Sequence, residues 1–329
     1  MLRRFLSIII FTKTYIVILR GIVLFFIFKR ILTGFAVLLV LISLTFFVLR
    51  FLPGGPFDRE KRLPPQILEN IQKKYNLQLP LHEQYFLYLK DIIFKFDFGP
   101  SFKYYDRSVN EMINESFPIS LQLGVLALLI ALLVGVPCGL LAAYYHNTVW
   151  DRFLMLVSIS GVSLPSFLVG SIFILIFAKL LFILPAARWD GIEYMILPAL
   201  TLGLRPAAII ARLMRSSALD VLGAEYIKVA RAKGLSEFQV ITKHVLKNSI
   251  LPVLTLFGPL AASIITGSFI VELIFSIPGM ADYFVDAVFN RDYTLVMGAT
   301  IVYAFFLIGA NILVDVCYSF VDSRIKLTT

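Results

Sequence analysis

The sequence predicts an all-α polytopic membrane protein, on three observations. Hydrophobic residues make up 59% of the chain and the mean hydropathy is +0.87, too apolar for a soluble protein. Charged residues are only 16%, and they gather between apolar blocks. Those blocks are about twenty residues long, the length a helix needs to cross a bilayer. The formal net charge is +9. On so apolar a chain this points to basic cytoplasmic loops and lipid contact, not to nucleic acid. Cys138 and Cys317 both fall inside predicted spans, so they are expected to be packing residues without a disulfide.

Residues 1–30 are expected to form a basic extension. Ile8 to Phe28 is apolar but is interrupted by Lys13 and Arg20. No small-residue cleavage site follows, so no signal peptide is expected. Arg3, Arg4, Lys13, Arg20, Lys29 and Arg30 suit a helix lying at the cytoplasmic interface. The first span is placed at Ile31 to Leu52 and ends at Pro53-Gly54-Gly55-Pro56. A polar insert occupies 53–117. Pro64-Pro65 opens a helix from Gln66 to Tyr75, Pro80 precedes another from His82 to Phe94, and Ser108 caps a short third through Glu115. Its aromatics, among them Tyr85, Tyr88, Phe98 and Tyr104, argue for a small packed cap over a bare spacer.

Five further spans make up the core, 118–329. Ile119 to Ala143 holds Gly135, Pro137 and Gly139, which permit a kink. Phe153 to Leu184 is so long that it must be tilted or broken at Pro165. Leu197 to Leu219 runs into a charged segment, Ile250 to Leu273 leaves it, Ser276 to Thr294 is a second outer loop, and Leu295 to Phe320 is the last span. Six spans put both termini on the side of the basic loop. Arg212, Arg215, Lys228, Arg231, Lys233, Lys243 and Lys247 mark that side as cytoplasmic.

The charged segment, 219–247, organises the rest. Leu219 to Lys233 reads as a helix with Val221, Ile227, Ala230 and Ala232 on its apolar side. Gly234 ends it in a left-handed turn. Ser236 with Gln239 forms a capping box that starts a second helix. Phe238, Ile241 and Val245 form an apolar stripe there, with Lys243, His244 and Lys247 off it. An amphipathic loop resting on anionic lipid and a docking element for another protein both fit this form.

Catalysis is not expected. No Gly-Lys-Ser/Thr occurs, so ATP-driven work needs a partner. No His-Glu-x-x-His occurs, and no metal or cofactor site is expected. Gly161-Val162-Ser163 has the look of a nucleophile motif, but His82, His146 and His244 all lie outside the spans, leaving no general base in the membrane. Ser158, Ser160, Ser163, Pro165 and Ser166 suit close helix crossing. Ser163 is also a candidate for the wall of a wet path, which a cargo rich in backbone donors and acceptors requires.

Three stretches carry a resemblance. The segment ARAKGLS followed by KHVLKN resembles the cytoplasmic "EAA" loop of ABC importer permeases, peptide-importer branch. Gly234 and Ala230 match its pattern, Lys228 and Val229 stand at its Glu and first Ala, and Leu246-Lys247 stands where many families have Leu-Pro. The strings LPPQILENIQKKYNL, QYFLYLK and DFGPSFKYYDRSVNEM resemble the periplasmic insert of the B-type oligopeptide permease subunit. The C-terminal block from NRDY to DSRI is similar as well. The resemblance runs from about residue 28 to the C-terminus. It implies a six-span type I ABC importer permease of a bacterial inner membrane with a small helical periplasmic insert. The chain would form half of a path for oligopeptides. Implied partners are a second, C-type permease, one or two ABC ATPase subunits and an extracytoplasmic peptide-binding protein. The loop would dock in a cleft of the ATPase through Glu225, Ala230, Ala232, Lys233, Gly234, Ser236 and His244. A stand-alone secondary transporter or channel is the rival, but no carboxylate-rich span or inverted repeat supports it. A membrane scaffold without transport is a third possibility.

Arg205, Glu272 and Asp315 are ionisable groups in or near spans, where such residues face a cavity or a partner. Structural pairing near a span end is favoured for Glu272 and Asp315. Arg205 lies about 10 Å along a helix from Pro198 at 1.5 Å per residue. It is expected to face the path, where it meets a peptide carboxylate or pairs with Glu272, or else to satisfy carbonyls freed by Pro206.

Overall fold

The computed structural model describes residues 2–52, 75–104 and 106–321, and their side chains except those of 2–24, 26, 262, 265–267 and 315–321. The turn expected at 53–56 and the helix expected from Gln66 lie outside the described residues. Helix α1 covers Leu2–Phe51 without a break. No break in the helix marks the expected boundary between an interfacial extension and a first span. Lys13 and Arg20 interrupt the hydropathy but are good helix formers, and no proline stops the run. The part apolar enough to span is Ile27–Phe51.

Helix α2, Leu81–Lys95, lies against α1. Tyr85 Oη and Ser43 Oγ are 2.6 Å apart. Arg50 donates to Gln84 Oε1 at 3.1 Å and stacks 3.4 Å over the Phe46 ring. Ile42 and Phe46 of α1, with Met297 and Ile301 further along the chain, bury Tyr85, Tyr88 and Ile92 in part. Phe86, Phe94 and Phe96 remain exposed, so only one side of the insert's aromatic content packs.

Helix α3, Val109–Tyr144, joins the expected third insert helix to the second span. Its start is the predicted one: Ser108 Oγ accepts from Glu111 N at 3.2 Å and Glu111 Oε2 accepts from Ser108 N at 3.3 Å. No glycine or asparagine cap follows Glu115, and Pro118 is carried inside the helix. Its 36 residues reach about 54 Å at 1.5 Å each, far beyond a hydrocarbon core of about 30 Å.

The long third apolar stretch is broken rather than only tilted. Helix α4, Val149–Ser163, and helix α5, Ser166–Phe173, flank a break, and α4 meets the whole stretch Ser166–Leu180 at a 111° bend. Leu164 is extended, as sterics demand of a residue before proline. A π-helical run, Ile174–Leu180, continues α5. Then come α6, Ile192–Leu222, and α7, Glu225–Ala232. The next helix, α8, is composite: Glu237–Gln239, a π-helical Val240–Val245 and Leu246–Ser249. Helix α9 is Leu251–Ile274, α10 is Met280–Asn290 and α11 is Tyr293–Val321. The segment expected to be an outer loop thus contains α10. Met280, Ala281 and Ala287 bury its inner face, a helical spacing that was readable in MADYFVDAVFN.

The core seam is the crossing of α3 over α6. A Cβ on Gly139 would stand 2.5 Å from Ala211 O, one on Gly135 2.7 Å from Ala207 O, and one on Gly203 2.6 Å from Ala127 O. These glycines serve backbone contact, and α3 runs through Gly135 and Gly139 as one helix instead of breaking there. The serines of α4 are internally bonded: Ser158, Ser160 and Ser163 each donate to the carbonyl four residues back.

Candidate functional site: the charged loop and the polar cavity

The loop at 225–249 is built from local rules. Helix α6 stops at Leu222, and Gly223-Ala224 separates it from α7. The single helix expected over Leu219 to Lys233 is therefore two. Helix α7 ends as a Schellman turn: Gly234 N donates to Arg231 O at 3.0 Å and Leu235 N to Ala230 O at 3.4 Å. Gly234 has φ +78°. Ser236 then opens α8, its hydroxyl accepting from Gln239 N at 3.4 Å while Gln239 Oε1 accepts from Ser236 N at 3.3 Å. A bidentate pair unseen in the sequence spans this elbow. Arg231 Nε reaches Glu237 Oε1 at 2.8 Å and Nη2 reaches Oε2 at 3.1 Å. Both side chains are nearly half exposed, so the pair adds geometry more than stability.

The loop sits on an apolar seat. Ile227 and Ala230 of α7 and Val240 and Val245 of α8 are buried against Ala143 of α3 and Ala218 of α6. The stripe expected from Phe238, Ile241 and Val245 is displaced. Val240 and Val245 face inward, five residues apart, and Phe238 is 77% exposed. The cause is the π-helical turn, whose i to i+5 bonding replaces the 3.6-residue period. Ala232 is also exposed, not on the seat. Glu225 is exposed and paired with Lys228 at 2.8 Å. Lys233 caps α7. His244 is half-buried, with its carbonyl accepting from Asn248 Nδ2 at 2.8 Å. Tyr226, Val229 and Phe238 remain as apolar groups turned outward.

A cavity of about 480 Å³ opens between α4, α5, α6 and α9. Gly161 and Leu164 line it beside the break, with Ser166, Thr201, Arg205 and Ser263 as its polar contributors. Arg205 is exposed, and it is the one charged residue among the described residues of the lining. Neither the expected pairing with Glu272 nor a bond to a freed carbonyl forms. Glu272 is wholly buried and bound elsewhere. Its Oε2 accepts from Ala281 N at 2.9 Å, while its Oε1 has no hydrogen-bond partner among the described residues. Ser120 in turn accepts from Met280 N at 2.9 Å. Glu272 and Ser120 therefore cap α10 and tie it to α9 and α3. Ser163 is exposed and lies outside the cavity lining, with its hydroxyl spent on Ile159 O at 2.9 Å. Asp315 lies on α11, with its side chain outside the described ones.

Comparison with known proteins agrees with this architecture. Residues 135–327 match the family model "Binding-protein-dependent transport system inner membrane component". Residues 23–124 match the model of the corresponding N-terminal region. The chain is 46% identical over 303 residues to the oligopeptide transport system permease protein OppB of Haemophilus influenzae, covering 92% of this chain and 99% of that one. It is 44% identical over 299 residues to the dipeptide transport system permease protein DppB of Bacillus subtilis, covering 91% and 97%. Among solved structures, an inward-facing MetNI methionine ABC transporter matches 65% of this chain and 97% of its own, with a TM-score of 0.53 at 13% identity. An amino acid ABC transporter matches 64% and 94%, with a TM-score of 0.50 at 15% identity. At those identities the likeness is one of fold alone; the family model and the relatives, transport-system components by name, do not favour a stand-alone channel or secondary transporter. The chain belongs to the family of binding-protein-dependent transport system inner membrane components.

Proposed function

We propose that this chain is the B-type permease subunit of an ATP-driven peptide importer, forming half of the path for oligopeptides. The observation that carries this is the loop. It is locked internally by two caps and seated on α3 and α6, yet it turns Tyr226, Val229 and Phe238 outward among lysines. Such a surface suits a protein cleft better than water. The relatives, both peptide-transport permeases by name, support the cargo. The partners are a C-type permease, one or two ABC ATPase subunits and an extracytoplasmic peptide-binding protein. Residues Glu225, Ala230, Ala232, Lys233, Gly234, Ser236 and His244 belong to the coupling element. The chain is a multi-pass protein of a bacterial inner membrane, with the loop and both termini in the cytoplasm and the insert outside. An ABC ATPase is expected to copurify from solubilised membranes. Recovery of the chain without any ATPase, and active in uptake, would sink the reading. A cysteine at Glu237 is expected to react with impermeant reagents only from the inside.

Arg205 supplies positive charge to the path, where it meets the carboxylate of a peptide. A charge-assisted hydrogen bond contributes about 1.5–3 kcal/mol, so Arg205→Ala is expected to slow uptake of free-carboxylate peptides about tenfold to a hundredfold. Amidated peptides should be affected much less. Arg205→Lys keeps the charge without the planar fork and should fall between. Equal transport of both peptides by wild type and Arg205→Ala at matched expression would remove Arg205 from the path.

A further inference from the structure

At the loop end of the bundle, α4 is tied to α6 by an ion pair whose carboxylate is buried and whose guanidinium is partly exposed. Asp151 stands in the first turn of α4 with its side chain only 4% exposed. Arg215 of α6 grips it with both arms, Nε to Oδ1 at 2.6 Å and Nη2 to Oδ2 at 2.7 Å. The backbone N–H of Asn147 donates to Oδ2 at 3.0 Å. Arg215 Nη2 also lies 3.2 Å from His146 Nδ1. A guanidinium only donates, so that ring nitrogen accepts. Both carboxylate oxygens are therefore engaged, and the turn from α3 into α4 is gathered into the same cluster.

Its position gives the pair a use. Arg215 precedes Ala218 by three residues, one helical turn, and Ala218 with Ala143 forms the seat of the loop. Among the described residues, none of α4 contributes to that seat. A displacement of the loop thus reaches α6 by direct packing; α4 packs on α6 farther along, where Gly161 lies against Leu204 and Ala208, and beside the seat the ion pair ties the two helices. Further along, the same two helices wall the cavity, α4 with Gly161 and α6 with Thr201 and Arg205. From Arg205 to Arg215 is about 15 Å of helix. Stability alone is a weak reason for such a pair, because well-packed apolar side chains commonly serve as well or better.

We propose that Asp151 and Arg215 form a positioning clasp that makes α4 follow α6 when the loop moves, so that both walls of the cavity shift together. This rests on the reading of the loop as the docking element for an ATPase. The test uses the complete importer in proteoliposomes, with uptake of a radiolabelled peptide and ATP hydrolysis measured on the same sample. Asp151→Asn keeps the side chain's shape and removes its charge. It is expected to retain the ATPase and its hydrolysis while peptide taken up per ATP falls about tenfold, the size of a typical coupling between sites. Arg215→Lys keeps the charge without the fork and should show a smaller fall. The double reversal Asp151→Arg with Arg215→Asp should recover part of the loss. Unchanged uptake per ATP in Asp151→Asn overturns the clasp. So does a parallel loss of ATPase content, hydrolysis and uptake in Asp151→Asn and Arg215→Lys alike without recovery in the reversal, since that is the behaviour of a folding contact. Absence of the ATPase from the wild-type complex would instead strike the underlying functional reading.

Discussion

Gly234→Val is expected to leave the subunit in the membrane and largely abolish peptide uptake per ATP hydrolysed. The reason is angular, not spatial. Gly234 has φ +78° and a Cβ built there meets nothing within 4 Å. A non-glycine residue held in that region costs about 1–3 kcal/mol, and a β-branched one is a genuine outlier. The strain falls on an elbow fixed on both sides, by the Schellman turn before it and the Ser236 capping box after it. The cheapest relief is to open the elbow, which parts Arg231 from Glu237 across it. Since asparagine tolerates the left-handed region best among non-glycine residues, the order of damage should be Asn, then Ala, then Val. A strain of 1.4 kcal/mol corresponds to about a tenfold change in an equilibrium, so uptake in the valine variant should fall by that or more. Normal uptake and normal peptide-stimulated hydrolysis in Gly234→Val would refute the coupling role. Equal damage from asparagine would show that side-chain size, rather than the backbone angle, is what matters.

This elbow was legible because every signal in it is local. Gly234 after a helical run and Ser236 three residues before Gln239 specify their own hydrogen bonds within one turn. The long apolar helices were legible for a similar reason, since length and hydropathy are properties of a single stretch. Phe238 was misplaced because the π-helical turn is decided by what packs beneath it. Val240 and Val245 reach Ala143 and Ala218, residues far away in the chain. Glu272 could be recognised as a span-end carboxylate, but not as the cap of α10, since the turn that returns Ala281 to it is set by tertiary packing. Asp151 and Arg215 are 64 residues apart, and neither carries a sign of the other. Arg215 was readable only as one more positive charge beside the membrane. Gly139 and Gly135 advertised a small surface without saying whether the helix kinks there or another crosses it.

The crossing decides that question and yields the other large effect. Gly139 faces Ala211 O and Met214 Cβ, where an added Cβ would stand 2.5 and 2.6 Å away. The first obstacle is backbone, which no rotamer change can move, so α3 and α6 must separate. Gly135 and Gly203 bring the same two helices equally close at other levels of the seam. In lipid no hydrophobic force draws helices together, and close packing of small residues is a main source of their association. Inserting bulk into a packed interior costs about 1–3 kcal/mol, sometimes more. Gly139→Ala is therefore expected to lower the melting midpoint of the purified complex in detergent, and Gly139→Leu to remove the folded subunit from membranes. Gly309→Ala is the matched control, because nothing lies within 4 Å of its Cβ, and its midpoint should stay at the wild-type value. The same seam leads into the seat of the loop through Ala143 and Ala218. A loosened but folded Gly139→Ala should accordingly hold the ATPase less tightly as well as melt earlier. A leucine variant that melts like wild type would show that α3 and α6 do not approach as closely as the glycines require.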